Sequence, residues 1–339
     1  MRKRHFLFAS VLALLCSSGA LHAQDFKLTS SGYFKNQGVD VMAFDDIYPE
    51  GHQGGVCIIM NGHRVATNGD IRLEATPGQW QPVPKQLDRK LSDNSITATL
   101  CYPDSSRHLT GFNPMIYPDL HLIYTVNVES KGKNIEVTVD LDRPIPQEFI
   151  GKVGFNLEFF PGSLFGKPWI MDGQSGIFPQ QPNSPLMTTQ PNYLHTGNYH
   201  DGKQSLADMD KLIGKGYSPI VADDIISEPY AKGRKFTSRP DDPYNKVTIE
   251  SLSGDLQLFD GRMNHNNGWF VLRSNIKPGV TKGAVKWIIT PNVVADWMYQ
   301  PVIQTSQIGY HPAQDKEAVI EMDIRDNRKE TAQIIRIDA

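Results

Sequence analysis

Hydrolysis of a sugar bond needs two carboxylates on opposite sides of it, one to give a proton and one to take a proton or attack. The 339-residue chain has carboxylates to spare, at Asp172, Asp208, Asp210, Asp223, Asp224, Asp241, Asp242 and Asp260. Adjacent acids such as Asp223 and Asp224 belong to turn corners and caps, and none of these groups stands in a spacing that marks an acid with its partner. No residue is therefore assigned a catalytic role. Nucleophilic hydrolysis has no better footing, because no G-x-S-x-G elbow is present. His63, His108, His121, His195, His200, His265 and His311 form no H-E-x-x-H or H-x-H pair, and the stretch 173–176 lacks the lysine of a phosphate loop. Neither a metal nor a cofactor is expected.

Binding is the chemistry these residues suit. A sugar ring presents an apolar C–H face and a polar rim, so its site combines aromatic rings with amides and carboxylates. Two stretches have that make-up: 166–176, with Trp169 and Asp172, and 260–269, with Asp260, Asn264, His265 and Trp269. Tyr193, with His195, Tyr199 and His200, adds to either from a long loop. A structural reading stands beside the functional one. Trp169 and Trp269 also fit as caps on a core, and 264–268 also fits as a hairpin turn.

The elements that must position these groups are strands. With 28 Gly, 23 Pro and 9% aromatic residues, the composition favours many short strands and turns over long helices. Residues 120–129 and 135–142 alternate apolar with polar around the polar turn 130–134, which predicts a β-hairpin with one buried and one wet face. Alternation continues at 153–159, and further strands are expected at 56–60, 71–74, 247–252, 256–259, 269–273 and 285–289. Asn61-Gly62 and Asn68-Gly69-Asp70 read as turns of a meander. Residues 161–243 read as a long irregular section rich in proline, with one helix at 205–213 between the N-cap Ser205 and the stop Gly214. The fold class expected is all-β: a large antiparallel sandwich-like domain with long loops.

Residues 1–23 are a secretory leader, with the cationic Arg2-Lys3-Arg4, an apolar core from Phe6 to Cys16 and a small-residue cleavage region ending at Ala23. The expected location is periplasmic, secreted or at the cell surface. Leu15 before Cys16 does not fit a lipid-attachment site. Without Arg2, Lys3 and Arg4 the formal net charge moves from −3 to −6, and no basic stripe argues for nucleic acid. No second apolar run is long enough to span a membrane. Cys57 and Cys101 both lie in strand-like contexts, and a disulfide and two free thiols both fit; two isolated cysteines make no zinc site.

The most specific stretch lies near the C-terminal end, at 304–320. A strand-like approach leads to a Gly-Tyr pair, a polar turn with Pro312 and an alternating apolar run. Through Gln307, Gly309, Tyr310, Pro312, Lys316, Ala318 and Val319 it resembles the start of the immunoglobulin-like module ahead of the catalytic barrel in family 9 glycoside hydrolases, the cellulase-type enzymes. Such a module takes roughly 100 residues. The resemblance therefore implies a β-rich accessory domain at 24–300, the opening of an immunoglobulin-like module at 301–339, and a catalytic barrel beyond it. It further implies a polysaccharide or oligosaccharide partner, such as a β-glucan, and a downstream catalytic domain. Two other readings stay open: a free-standing carbohydrate-binding or surface-assembly protein, and a complete all-β glycan-active enzyme.

Overall fold

The computed structural model describes residues 25–45, 54–74, 76–77, 84–102, 120–181, 186–189, 225–263 and 268–327, with 333 and 335. The leader 1–23, the expected helix 205–213, and Tyr193, Asn264 and His265 lie outside them. The fold is all-β, and two nine-stranded antiparallel sheets dominate it. Strands are numbered in chain order. The first sheet runs, edge to edge, β1 (Lys27–Leu28), β2 (Phe34–Asn36), β3 (Val39–Ala43), β4 (Val56–Met60), β5 (His63–Leu73), β10 (Val153–Phe159), β19 (Phe270–Asn275), β18 (Leu256–Asp260), β15 (Ala231–Gly233). The second runs β12 (Gln174–Ile177), β11 (Pro168–Met171), β16 (Lys235–Ser238), β17 (Val247–Ser251), β20 (Val285–Pro291), β9 (Asn134–Leu141), β8 (Leu122–Lys131), β7 (Ser95–Tyr102), β6 (Lys85–Leu91). Two smaller pairs are β13 (Leu186–Thr189) with β14 (Ile225–Ser227), and β21 (Val302–Gln304) with β22 (Val319–Glu321).

The expected hairpin forms as β8 and β9, with Val126 opposite Val139 and Val128 opposite Val137. These valines are fully buried while the alternate positions are only partly covered, so period-2 patterning places one face in the core. Across that core Phe155 of the first sheet meets Trp287 of the second edge to face at 5.0 Å. Phe159 and Phe236 repeat the contact at 5.8 Å. The Trp287 indole N–H donates to Ser274 Oγ at 3.0 Å, so its one polar atom is satisfied inside.

Two details differ from the sequence reading, and one open alternative is resolved. The section 161–243 is not irregular throughout: it supplies β11, β12, β15 and β16 to the large sheets. Pro168 opens β11, where a missing N–H is best tolerated. Asn68-Gly69-Asp70 is no turn but a bulge inside the 11-residue strand β5, with Asn68 left-handed at φ 55° and the register slipping against both β4 and β10. Cys57 and Cys101 are not joined in a disulfide. Cys57 lies in the first sheet, and Cys101 lies in the second between the buried Leu100 and Tyr102, which turns it away from the core.

Phe155→Ala should lower the unfolding free energy by about 3–5 kcal/mol in urea titration, whereas Ile303→Ser, at a 61% exposed position of β21, should leave it unchanged within about 0.5 kcal/mol. Equal effects would mean that the core does not lie between the two large sheets.

Candidate functional site

The carboxylates proposed from sequence are held by the protein itself. Asp172 follows β11 in a left-handed turn at φ 49°, and its two oxygens accept the backbone N–H groups of Arg234 (2.8 Å) and Lys235 (3.0 Å). Asp260 ends β18 without any exposure. Arg262 grips it with two bonds of 2.8 Å, and the Tyr230 hydroxyl donates to it at 3.1 Å. Burial, with Asp260 beside it, pushes the Tyr230 pKa up and keeps that hydroxyl protonated. The Arg262 guanidinium lies 4.5 Å over the Phe270 ring and also donates to the Pro179 and Gln180 carbonyls. Trp169 is buried at 6% exposure, and Trp269 packs edge to face on Phe160 at 4.3 Å. Among the described residues, no hydrogen bond or ion pair joins Asp172 to Asp260. Asp172 rests against Arg234 and Lys235, while Asp260 rests against Tyr230 and Arg262.

A denser set of ionisable groups sits where the sequence pointed to none, on β5, β10 and β19. These three strands lie side by side at the middle of the first sheet, and β10 is buried along both faces. Cross-strand register aligns Asp70, Asn156 and Arg273 in one row, since directly paired residues share a face. Arg273 Nη1 donates to Glu74 Oε1 (3.0 Å) and Asn156 Oδ1 (3.2 Å), Nη2 to the Glu74 (3.1 Å) and Lys152 (2.8 Å) carbonyls, and Nε to Asn275 Oδ1 (2.7 Å). Five N–H groups thus have five acceptors. A Cβ on Gly154 would lie 2.8 Å from Arg273 Nε, so only glycine lets the guanidinium lie flat across β10. Asn156 Nδ2 also donates to Glu74. Asn68 Nδ2 donates to Glu158 Oε2 at 2.6 Å, and Tyr124 donates to Asp70 Oδ1 at 2.9 Å.

The cluster sets buried carboxylates against buried guanidinium groups. Asp70, Glu74 and Glu158 act on Arg72, and Arg273 acts on Glu74. Burial raises the Glu74 pKa to about 7 although Arg273 and the Asn156 amide oppose it, and burial raises Asp70 to about 6 against Arg72. Burial also works against the Arg72 cation, yet Glu158, Asp70 and Glu74 hold its pKa above the ordinary value. Two carboxylates poised near neutrality are able to hold or release a proton, the property acid–base chemistry uses. The available sequence signal was charge of both signs at alternate positions of central strands: Asp70, Arg72 and Glu74 on one, Asn156 and Glu158 on the next. Alternation of that kind reads as a wet face, whereas these side chains are buried.

No family model matches the chain, and no curated protein matches it. Among solved structures it is similar to a galactose mutarotase related enzyme from Lactobacillus acidophilus, at 8% identity over 76% of this chain and 96% of that one, with a TM-score of 0.35. It is also similar to the Slr1438 protein from Synechocystis sp. PCC 6803 (9%, 79% and 96%, TM-score 0.33). A third is the heparan sulfate lyase HepC from Pedobacter heparinus (11%, 89% and 41%, TM-score 0.29). Two of these names refer to sugar chemistry. Likeness of this degree sets no residue correspondence, and no role is transferred from it.

The raised carboxylates fix a pH dependence. Folded values of about 7 for Glu74 and about 6 for Asp70 lie above the ordinary 4.5 and 3.8. The stability each contributes is complete below its ordinary value and is lost as pH rises through the folded value. The margin of the native protein over Glu74→Gln should therefore shrink from about pH 5 to about pH 8, by up to about 1.4 kcal/mol per unit in paired urea titrations. A margin that stays constant or widens with pH would contradict the shift.

Proposed function

We propose that this chain is the exported, non-catalytic N-terminal portion of a polysaccharide-degrading glycoside hydrolase of the family 9 type. In this reading residues 24–300 are a β-rich accessory domain, and an immunoglobulin-like module opens at 301. The leader at 1–23 directs the chain to the periplasm, the cell surface or the medium. Its partners are a β-glucan or related oligosaccharide and a downstream catalytic domain.

The observation that carries this reading is the work done by the motif residues at 302–321. β21 and β22 pair antiparallel, with Ile303 opposite Ile320. Between them Gly309 takes a left-handed φ of 80°, and the Tyr310 hydroxyl closes the loop by donating to the Glu317 carbonyl and accepting the Ser306 N–H at 3.1 Å. Lys316 Nζ gathers the carbonyls of His311 (3.3 Å), Pro312 (2.7 Å) and Gln314 (2.6 Å). Gly309, Tyr310 and Lys316 are residues through which the stretch resembles the family. The pair leaves Ile303, Val319 and Ile320 exposed at 61%, 65% and 45%. Two strands with bare apolar side chains are marginal alone and favour further strands against them. The non-catalytic assignment is supported by the commitment of Asp172 and Asp260 to the protein's own donors.

The raised pKa values of Glu74 and Asp70 favour a second reading, a complete all-β glycan-active enzyme. One assay separates the two. The chain on its own should release no reducing sugar from β-1,4- or mixed-linkage β-glucans. Turnover abolished by Glu74→Gln or Asp172→Asn would establish the second reading and sink the first. The exposed strand pair adds a physical expectation: a chain ending at Pro301 should aggregate less than the full chain in light scattering at equal concentration. Equal solubility of the two would argue against the module.

A further inference from the structure

After β20 the chain doubles back over the β1–β4 end of the first sheet, and a cleft of about 690 Å3 opens beneath it. That size lies within the range of small-molecule sites, about 300–1,000 Å3. Its floor is set by register: Lys27 stands opposite Lys35, and Lys35 opposite Asp40, so the three side chains share one face. Its wall is Trp297 and Tyr299, set edge to face at 6.1 Å. Both rings are seated on turn glycines. Gly38, between β2 and β3 at φ 65°, would place a Cβ 2.7 Å from the Trp297 ring, and Gly62, between β4 and β5 at φ 82°, would place one 3.1 Å from the Tyr299 ring. The Trp297 carbonyl accepts from Gln37 Nε2 and Arg325 Nη2, each at 2.6 Å. Asp323 accepts the Tyr299 N–H at 2.9 Å and holds Arg325 at 2.7 Å. The wall is therefore fixed before any ligand arrives.

The floor is not built for stability. Lys27 and Lys35 are like charges in directly opposed positions, an unfavourable cross-strand pair, and Lys35 has Asp40 as its electrostatic partner. Asp40 Oδ1 is buried with no hydrogen-bond donor. An orphaned acceptor beside exposed ammonium donors suits a ligand with both hydroxyl donors and acceptors, and the two rings suit one with an apolar face. Net charge on the ligand is disfavoured, because Asp25, Asp40 and Asp323 oppose an anion as Lys27, Lys35 and Arg325 oppose a cation. We infer that this cleft is a binding site for a neutral oligosaccharide, with Asp40 and Lys35 on its hydroxyls and Trp297 against a ring face. The site deepens the function proposed above and rests on it for the choice of sugar.

The test is a titration of the full chain with a β-1,4-linked glucose hexamer, followed by backbone and indole N–H NMR, with an oligogalacturonate of equal length as the anionic comparator. Shifts should concentrate at Gln37, Asp40, Gly62 and the Trp297 indole. Asp40→Asn and Lys35→Ala should each weaken binding by about tenfold; Lys35 is exposed, so its variant keeps the test sound if Asp40→Asn perturbs folding. Shifts confined to another part of the chain, a stronger response to oligogalacturonate, or affinity unchanged in Lys35→Ala would each overturn the cleft assignment. Retention on insoluble β-glucan, measured in parallel, tells the two failures apart. Retention that survives the cleft variants removes the cleft and leaves the proposed function standing. Absence of both retention and shifts removes the cleft and the β-glucan partner together.

Discussion

The constraint on which the centre of the first sheet depends is the burial of the Arg273 guanidinium, at 1% exposure. A cation taken out of water costs several kcal/mol unless its donors are met, and breaking such a pair leaves the whole penalty uncompensated. Its five acceptors come from well-separated parts of the chain: the side chain and carbonyl of Glu74, the Lys152 carbonyl, the Asn156 amide and Asn275. Those acceptors converge only when β5, β10 and β19 are paired in the observed register. A slip of one residue would send Asn156 to the apolar face and strand the cation, so the polar cluster specifies register more sharply than the apolar core does. Gly154 belongs to the same device, because a side chain there would lift the guanidinium off its acceptors.

A related arrangement occurs toward the edge of that sheet. Arg262, adjoining β18, pairs bidentately with Asp260, lies over Phe270 and takes the Pro179 and Gln180 carbonyls. There the cation ties an incoming loop to the sheet. At the centre it ties three strands to one another. In both places a planar fork of donors reaches several acceptors at once, which a lysine would not do.

The periodic parts of the fold were legible in the sequence because one physical rule writes them: β8, β9 and β10 alternate, and alternation sends one face into the core. Legibility failed where one signal serves two structures. Asn68-Gly69 supplies a left-handed residue, and both a turn and a bulge use one. Pro168 interrupts a ladder and also opens a strand. For the site residues the limit is of a different kind. Asp172 and Asp260 have the types a sugar site needs, but type does not show whether an oxygen is already taken, and theirs are, by backbone amides and by Arg262. Conversely Asp70 reads as part of a turn and Glu74 and Glu158 do not stand out, since nothing local to β5 or β10 reports that these carboxylates are buried.

The junction between the large sheets and the strand pair β21–β22 follows a third pattern. Its contacts are directional and polar: Arg325 to the Trp297 carbonyl, Asp323 to the Tyr299 N–H, Gln37 to the Trp297 carbonyl. The apolar side chains of the same segment, Ile303, Ile308 and Ile324, stay outside at 61%, 99% and 98% exposure. Polar contacts of this kind orient a segment without burying much surface, whereas apolar burial would have joined it to the sandwich core. The segment is thus aimed but not absorbed, and its apolar side chains remain available to other strands. The same aiming holds Trp297 and Tyr299 clear of the sandwich interior and over Lys35 and Asp40. One set of hydrogen bonds accordingly decides both how the strand pair leaves the sandwich and how the cleft beside it is walled.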